Sequence, residues 1–203
     1  MSVPEKVARI QIALKDIEPA IWRLVEVPLG MNLKGLHDVI QAVFGWENHH
    51  LFEFHIGKKR YGIPSPEWDR DRKVLQAKSV RLAALVSRGM DHFDYIYDFG
   101  DNWEHAVLIE AVADADPAVV YPRFVDGARR APPEDVGGLP GFFEFVEAVF
   151  NPQHPEHGRL IKWYGRPFVP ADLDLRSLRQ RLSVVANRRQ TAMAAFARSR
   201  IKS

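Results

Sequence analysis

Four side chains able to do chemistry crowd one short run, YDFGDNWEH: Asp98, Asp101, Glu104 and His105. Three oxygen donors and an imidazole suit Mg²⁺, Mn²⁺ or Zn²⁺, or a general acid and base pair. Two-residue alternation separates Asp98 from its aromatic neighbours, while Asp101, Glu104 and His105 can gather near one strand end. The competing structural reading has Asp98 and Asp101 accepting backbone N–H bonds within a turn, with Trp103 packed beneath. A second set joins PPED, with Glu134 and Asp135, to HPEH, with His154 and His157. Histidines at i and i+3 share a helical face and, with an acidic loop, could hold a metal; Pro152 and Pro155 instead suggest a turn or helix start, with both imidazoles exposed or bonded to carbonyls. Gly137-Gly138 before a helix invites a phosphate cradle, but no P-loop lysine follows, and Glu134, Asp135 and Glu144 repel anions. His37, His49 and His50 lie in or just after a helix and read as structural, as do Trp22, Trp46, Trp103 and Trp163 as core or pocket wall.

The elements that must position these residues follow from periodicity. Residues 8–14 put Ala8, Ile10, Ile12 and Leu14 on one face, and residues 21–27 alternate likewise, predicting an antiparallel hairpin. Asn32 caps a predicted helix with apolar Leu33, Leu36, Ile40, Val43 and Phe44, ended by Gly45. Strands are expected over 50–56 and 59–63, then a charged polar loop over 64–73. Ser79 is read as the cap of a short helix over 80–87. Gly100-Asp101-Asn102 joins aromatic and β-branched runs over 93–99 and 103–112, a strong hairpin signal. Residues 113–138, rich in proline, read as loop. A helix is expected over 140–150, and a last one from Asp172 or Asp174 through Leu175, Leu178, Leu182 and Val185. Hairpins in place of repeated strand-helix-strand crossovers predict an α+β fold, an antiparallel sheet with helices packed on it, plus a basic C-terminal helix.

Composition narrows the function classes. At 203 residues and 46% hydrophobic content the chain can bury a core. No run approaches the roughly 18 apolar residues of a membrane span, and the start MSVPEKVARIQ lacks a signal-peptide core, so a cytoplasmic location is expected. The absence of cysteine excludes disulfides, thiolate nucleophiles and thiolate zinc sites. No cofactor is expected, and any divalent metal must sit on His, Asp or Glu. Residues 176–203 carry Arg176, Arg179, Arg181, Arg188, Arg189, Arg198, Arg200 and Lys202 and no acidic residue, whereas the rest of the chain is net acidic. This divides the chain into an α+β domain over 1–175 and a basic helical tail over 176–203. Such a tail suits nucleic acid, an acidic protein surface or the chain's own acidic face, or simply keeps the helix solvated.

The motifs PAIWRLVEVP, LKGLHDVIQAVFGWENHHLFEFHI, YDFGDNWEHAVLIE, PPEDVGG with GFFEF, and NPQHPEHGRLIKWY occur in this order. As a set, covering about 7–175, they resemble the plasmid pRiA4b ORF-3-like family, whose members are often labelled TnpR resolvases. The resemblance implies an α+β fold and a frequent neighbourhood of plasmids and insertion elements. Relatives commonly carry cysteines where Phe124, Ala131 and Val136 stand here, so any thiolate-held metal in them has no counterpart in this chain. A serine recombinase needs a nucleophilic serine amid arginines and a helix-turn-helix. Ser2, Ser65, Ser79, Ser87, Ser177, Ser183 and Ser203 provide no such early Arg-rich setting. The expected function is a non-catalytic binding or adaptor module of mobile-element origin, with protein or nucleic acid as partner and the tail as an electrostatic arm. The alternative is a metal-dependent hydrolase built on the Asp, Glu and His clusters.

Overall fold

The alternating apolar residues at the N-terminus form the hairpin that periodicity predicts. Strand β1 (Lys6–Leu14) pairs antiparallel with β2 (Trp22–Pro28), Ile10 opposite Val25. The computed structural model describes residues 5–65 and 73–201. Helix α1 (Leu33–Phe44) begins where Asn32 Oδ1 accepts the Gly35 N–H at 2.9 Å and ends at Gly45. Strands β3 (Phe52–Ile56), β4 (Lys59–Gly62) and β5 (Val74–Gln76) follow, then the short helix α2 (Leu82–Val86). Part of the expected polar loop, 66–72, lies outside the described residues. Strands β6 (His92–Tyr97), β7 (Trp103–Asp114) and β8 (Arg123–Ala128) precede helices α3 (Gly138–Phe150), α4 (His157–Tyr164) and α5 (Leu175–Ile201). The strands form one sheet in the order β5-β4-β3-β6-β7-β1-β2-β8, antiparallel except for the β4–β5 pair. The fold is α+β.

Several local expectations shift. Ser79 ends a one-turn 3-10 helix and caps nothing; α2 starts at Leu82, after Arg81. Strand β8 runs through the stretch read as loop, pairing Val25 with Phe124 at the sheet edge. Its flanking prolines hid it, since proline is compatible with an edge strand but not a central one.

Alternation along β7 turns Trp103, His105 and Val107 into the core beneath α1 and leaves Glu104, Ala106 and Leu108 on the opposite, more open face. That core is aromatic: Trp46 stacks on Phe44 and Tyr97, and His105 meets the edges of Phe44 and Trp46. Beside it runs a closed ring of hydrogen bonds, buried at Tyr95 and part-buried at Asn48. Tyr95 Oη lies 2.8 Å from His37 Nδ1 and accepts from Gln41 Nε2 at 3.1 Å. Gln41 Oε1 accepts the Asn48 N–H at 2.9 Å, and Asn48 Oδ1 lies 2.5 Å from His37 Nε2. These partners assign the Nε2–H tautomer to His37, with Tyr95 donating to its bare Nδ1.

Helix α5 runs unbroken across residue 176. Asp174 caps it, its Oδ1 accepting from Ser177 N at 3.4 Å, and Leu178, Leu182 and Ala186 at four-residue spacing are buried. The helix packs on α1 and β8, so its first turns belong to the core. Among the described residues no helix is long and apolar enough to cross a membrane.

Candidate functional site

The tip of the β6–β7 hairpin is built around Asp98, which is buried and takes a left-handed backbone (φ 55°). Its Oδ1 accepts the Gly100 N–H at 2.9 Å, as a turn aspartate does. Its other oxygen faces His50, which pairing of β3 with β6 brings alongside: Phe52 sits opposite Tyr97, and Asp98 N donates to Leu51 O at 2.9 Å.

The PPEDVGG loop docks onto this tip. Asp101 Oδ2 accepts the Gly137 N–H at 3.1 Å, placing a carboxylate at the positive end of α3. Gly138 lies so close that a Cβ there would sit 2.6 Å from Asp101 O, at a φ of +67° that also disfavours a side chain. Glu134 accepts from the Tyr97 hydroxyl and, at 2.5 Å, from Glu47 N. Burial, then the Glu134 carboxylate, push the Tyr97 phenol pKa up, so Tyr97 stays a proton donor.

Docking brings Asp135 Oδ1 to 2.7 Å from His50 Nε2, with Asp98 Oδ2 at 3.5 Å from the same nitrogen. Among the described residues, His50, Asp98 and Asp135 are the one group of three or more His, Asp or Glu donors lying together, within 4.8 Å of one another. One member comes from each sequence cluster and the third, His50, from a position read as structural.

The other candidates lie elsewhere. His105 is fully buried; its Nδ1 is 3.0 Å from Trp103 O, and its Nε2 has no partner among the described residues. Burial lowers its pKa to about 3, so it sits in the core as a neutral ring. Glu104 faces the other side of the sheet, with Lys15 at 3.6 Å. His154 Nδ1 accepts from Glu156 N at 3.1 Å within the turn before α4, and His157 Nδ1 lies 2.7 Å from Ala148 O, tying the start of α4 to the end of α3.

Next to the docked loop opens a cleft of about 390 Å³ between the C-terminal end of α1, the 130–135 segment, α4 and α5. Glu134 and Asp135 line it together with Arg23, Arg130, Arg166 and Arg181. On α5, Arg181 bonds Trp46 O at 3.1 Å and Glu47 at 2.6 Å, and Arg189 pairs with Glu5. Arg176, Arg179, Arg188 and Arg198 are exposed. The side chain of Arg200 and residue Lys202 lie outside the described residues.

This architecture recurs in a solved structure, the crystal structure of a protein of unknown function, MM3350, from Methanosarcina mazei Go1. It superposes with a TM-score of 0.76 at 32% identity, covering 85% of this chain and 97% of that one. In sequence, residues 6–177 match the profile of the plasmid pRiA4b ORF-3-like proteins. The chain belongs to this family. Another similar protein is the uncharacterised y4hQ of Sinorhizobium fredii, 38% identical over 159 residues, which span 78% of this chain and 81% of that protein. In this member of the ORF-3-like family, the matched region takes in all three converging residues and stops just inside α5.

Proposed function

We propose that this ORF-3-like protein is a metal-dependent binding module whose divalent cation sits on His50, Asp98 and Asp135. The observation carrying the reading is that three chain segments, far apart in sequence, bring their donor atoms within 4.8 Å of one another. One imidazole and two carboxylates fit Zn²⁺ or Mn²⁺ better than Mg²⁺, which prefers oxygen alone. A bound cation would lock the PPEDVGG loop to the hairpin tip and set the wall of the adjoining cleft. Protein purified without a histidine tag and analysed by mass spectrometry is expected to take up one Zn²⁺ or Mn²⁺ and to gain thermal stability that EDTA reverses. His50→Ala and Asp135→Asn should abolish both effects; equal uptake by these variants would overturn the assignment.

The enzymatic alternative, a metal-dependent hydrolase, uses the same ligands. Three protein donors leave positions for water or substrate on the ion. Turnover of an activated ester or phosphodiester by Mn²⁺-loaded protein, lost in Asp98→Asn, would establish it.

Nucleic-acid association through α5 is favoured by the four exposed arginines Arg176, Arg179, Arg188 and Arg198 on one helix. With that many phosphate contacts the binding constant should fall with salt on a log–log slope of about −3 to −4. Deletion of 187–203, which spares the buried Leu178, Leu182 and Ala186, removes Arg188, Arg189, Arg198, Arg200 and Lys202 and is expected to reduce that slope by half or more. A slope near zero in the whole protein would remove the arm from consideration.

A further inference from the structure

Arg23, on β2, is 1% exposed, yet among the described residues its guanidinium meets no carboxylate. Nε donates to Val43 O at 2.7 Å and Nη1 to Trp22 O and Ala128 O, each at 2.8 Å, with the Phe44 ring 4.9 Å away. Nη2 has no hydrogen-bond partner among the described residues, and the side chain lines the cleft. The other buried charged residues are matched: Glu26 meets Arg9 at 2.7 Å and Arg123 at 2.6 Å, Glu53 meets His55 at 2.8 Å, and Asp98 meets His50 at 3.5 Å. An uncompensated buried charge is costly, and burial alone pulls the Arg23 pKa down to about 9. The Val43 carbonyl belongs to the negative end of α1 and offsets part of this, but a partial charge is not a counterion.

The acids lining the cleft are already engaged: Glu47 with Arg181, Glu134 with Tyr97 and Glu47 N, Asp135 with His50, and Asp174 with Arg130 at 3.6 Å. Arg166, at the rim, is 61% exposed, with the Tyr164 ring 5.2 Å away and Asp174 at 3.9 Å, and Arg130 Nε is buried with no partner among the described residues. Trp163 lines the same cleft with 44% of its surface open.

We propose that this cleft binds a small oxyanion of the phosphate class, either inorganic phosphate or a phosphomonoester, with Arg23 as its buried countercharge and Arg166 closing on it from the rim. With Nε and Nη1 held by carbonyls, Arg23 offers the oxyanion its Nη2 hydrogens and its charge, the Arg166 guanidinium can supply a fork, and the cleft volume falls within the range of small-molecule sites. Trp163 would stack on a planar group carried by an ester.

Isothermal titration at constant ionic strength, with EDTA present, uses inorganic phosphate and phenyl phosphate as probes. Saturable binding of either supports the proposal, and tighter binding of phenyl phosphate identifies the ester as the natural form. Arg166→Ala, an exposed position, should weaken binding several-fold, and Arg23→Gln should lower affinity about tenfold or more. If Arg23→Gln does not fold, Arg166→Ala decides. The proposal falls if neither probe binds, or if Arg166→Ala and a folded Arg23→Gln bind as the wild type does. It is separable from the metal reading: Asp135 belongs to both, but His50 does not line the cleft, so His50→Ala should bind phosphate in EDTA as the wild type does while, without EDTA, taking up no added Zn²⁺ or Mn²⁺.

Discussion

Lowering the pH from 7 to 5 is expected to remove about 4 kcal/mol of folding stability, contributed about equally by His37 and His105. Burial, with Lys34 adding to it, holds the folded His37 at a pKa of about 3; burial, opposed by the carbonyls of Tyr95 and Trp103, does the same to His105, with Arg23 and Lys15 adding to the depression. The free histidine value is about 6.5, so the unfolded chain takes up protons first as pH falls. Stability is therefore fully present above about pH 6.5 and is lost progressively towards pH 3. The cause is geometric in both cases. Protonating His37 would put a proton on the nitrogen that accepts from Tyr95, and charging His105 would place a cation among Phe44, Trp46 and Tyr95 beside Arg23. Urea midpoints at pH 7 and 5 measure the effect. His105→Leu should roughly halve the pH dependence; a wild-type midpoint unchanged between the two pH values would show that neither histidine is held neutral by the fold.

The second large effect comes from one methyl group placed at two glycines. In α3, a Cβ on Gly141 would lie 2.0 Å from Val136 O and 2.9 Å from its carbonyl carbon. Gly141→Ala therefore forces the PPEDVGG loop off the helix and should cost about 3 kcal/mol or more, despite alanine's better helix propensity. The displaced loop carries Asp135, so cation uptake should fall together with the melting temperature. In α4, a Cβ on Gly158 meets nothing within 4 Å. Gly158→Ala should raise stability by about 0.5–1 kcal/mol, because alanine loses less backbone entropy in a helix. Thermal melts of the two variants check the opposite signs. A destabilised Gly158→Ala or an unaffected Gly141→Ala would mean that the loop and helix pack differently from this description.

How legible the site was in the sequence depends on how local its causes are. Asn32, Gly45 and the apolar positions between them define α1 within one stretch of chain, and the structure keeps those limits. The Gly100-Asp101-Asn102 hairpin was equally plain. His105 was assigned to the tip by its neighbours in sequence, although the period of two that makes Trp103 a core residue also carries His105 inward. His50 gave no local sign, because its partners Asp98 and Asp135 reach it only through strand pairing and loop docking. The PPEDVGG docking rests on the Asp101 carboxylate meeting the start of α3, a contact between segments that no periodicity links. In the last helix Leu178 and Leu182 are legible as apolar positions, while the boundary at 176 follows charge; the helix runs unbroken across it, and Leu178, Leu182 and Ala186 tie its first half to the core.

The strand order also has a consequence for a chain made from its N-terminus. The β1–β2 hairpin ends up between β7 and β8, both of which follow it by many residues. As the ribosome delivers the intervening segments, this hairpin lacks both of its neighbours in the sheet. Uncovered strand sides are templates for pairing with another copy, and contacts between distant segments form slowly. The nascent protein is thus most exposed to misassociation before β7 emerges, and Arg9 and Glu26, paired across that hairpin, put charge on a surface that must wait for its neighbours.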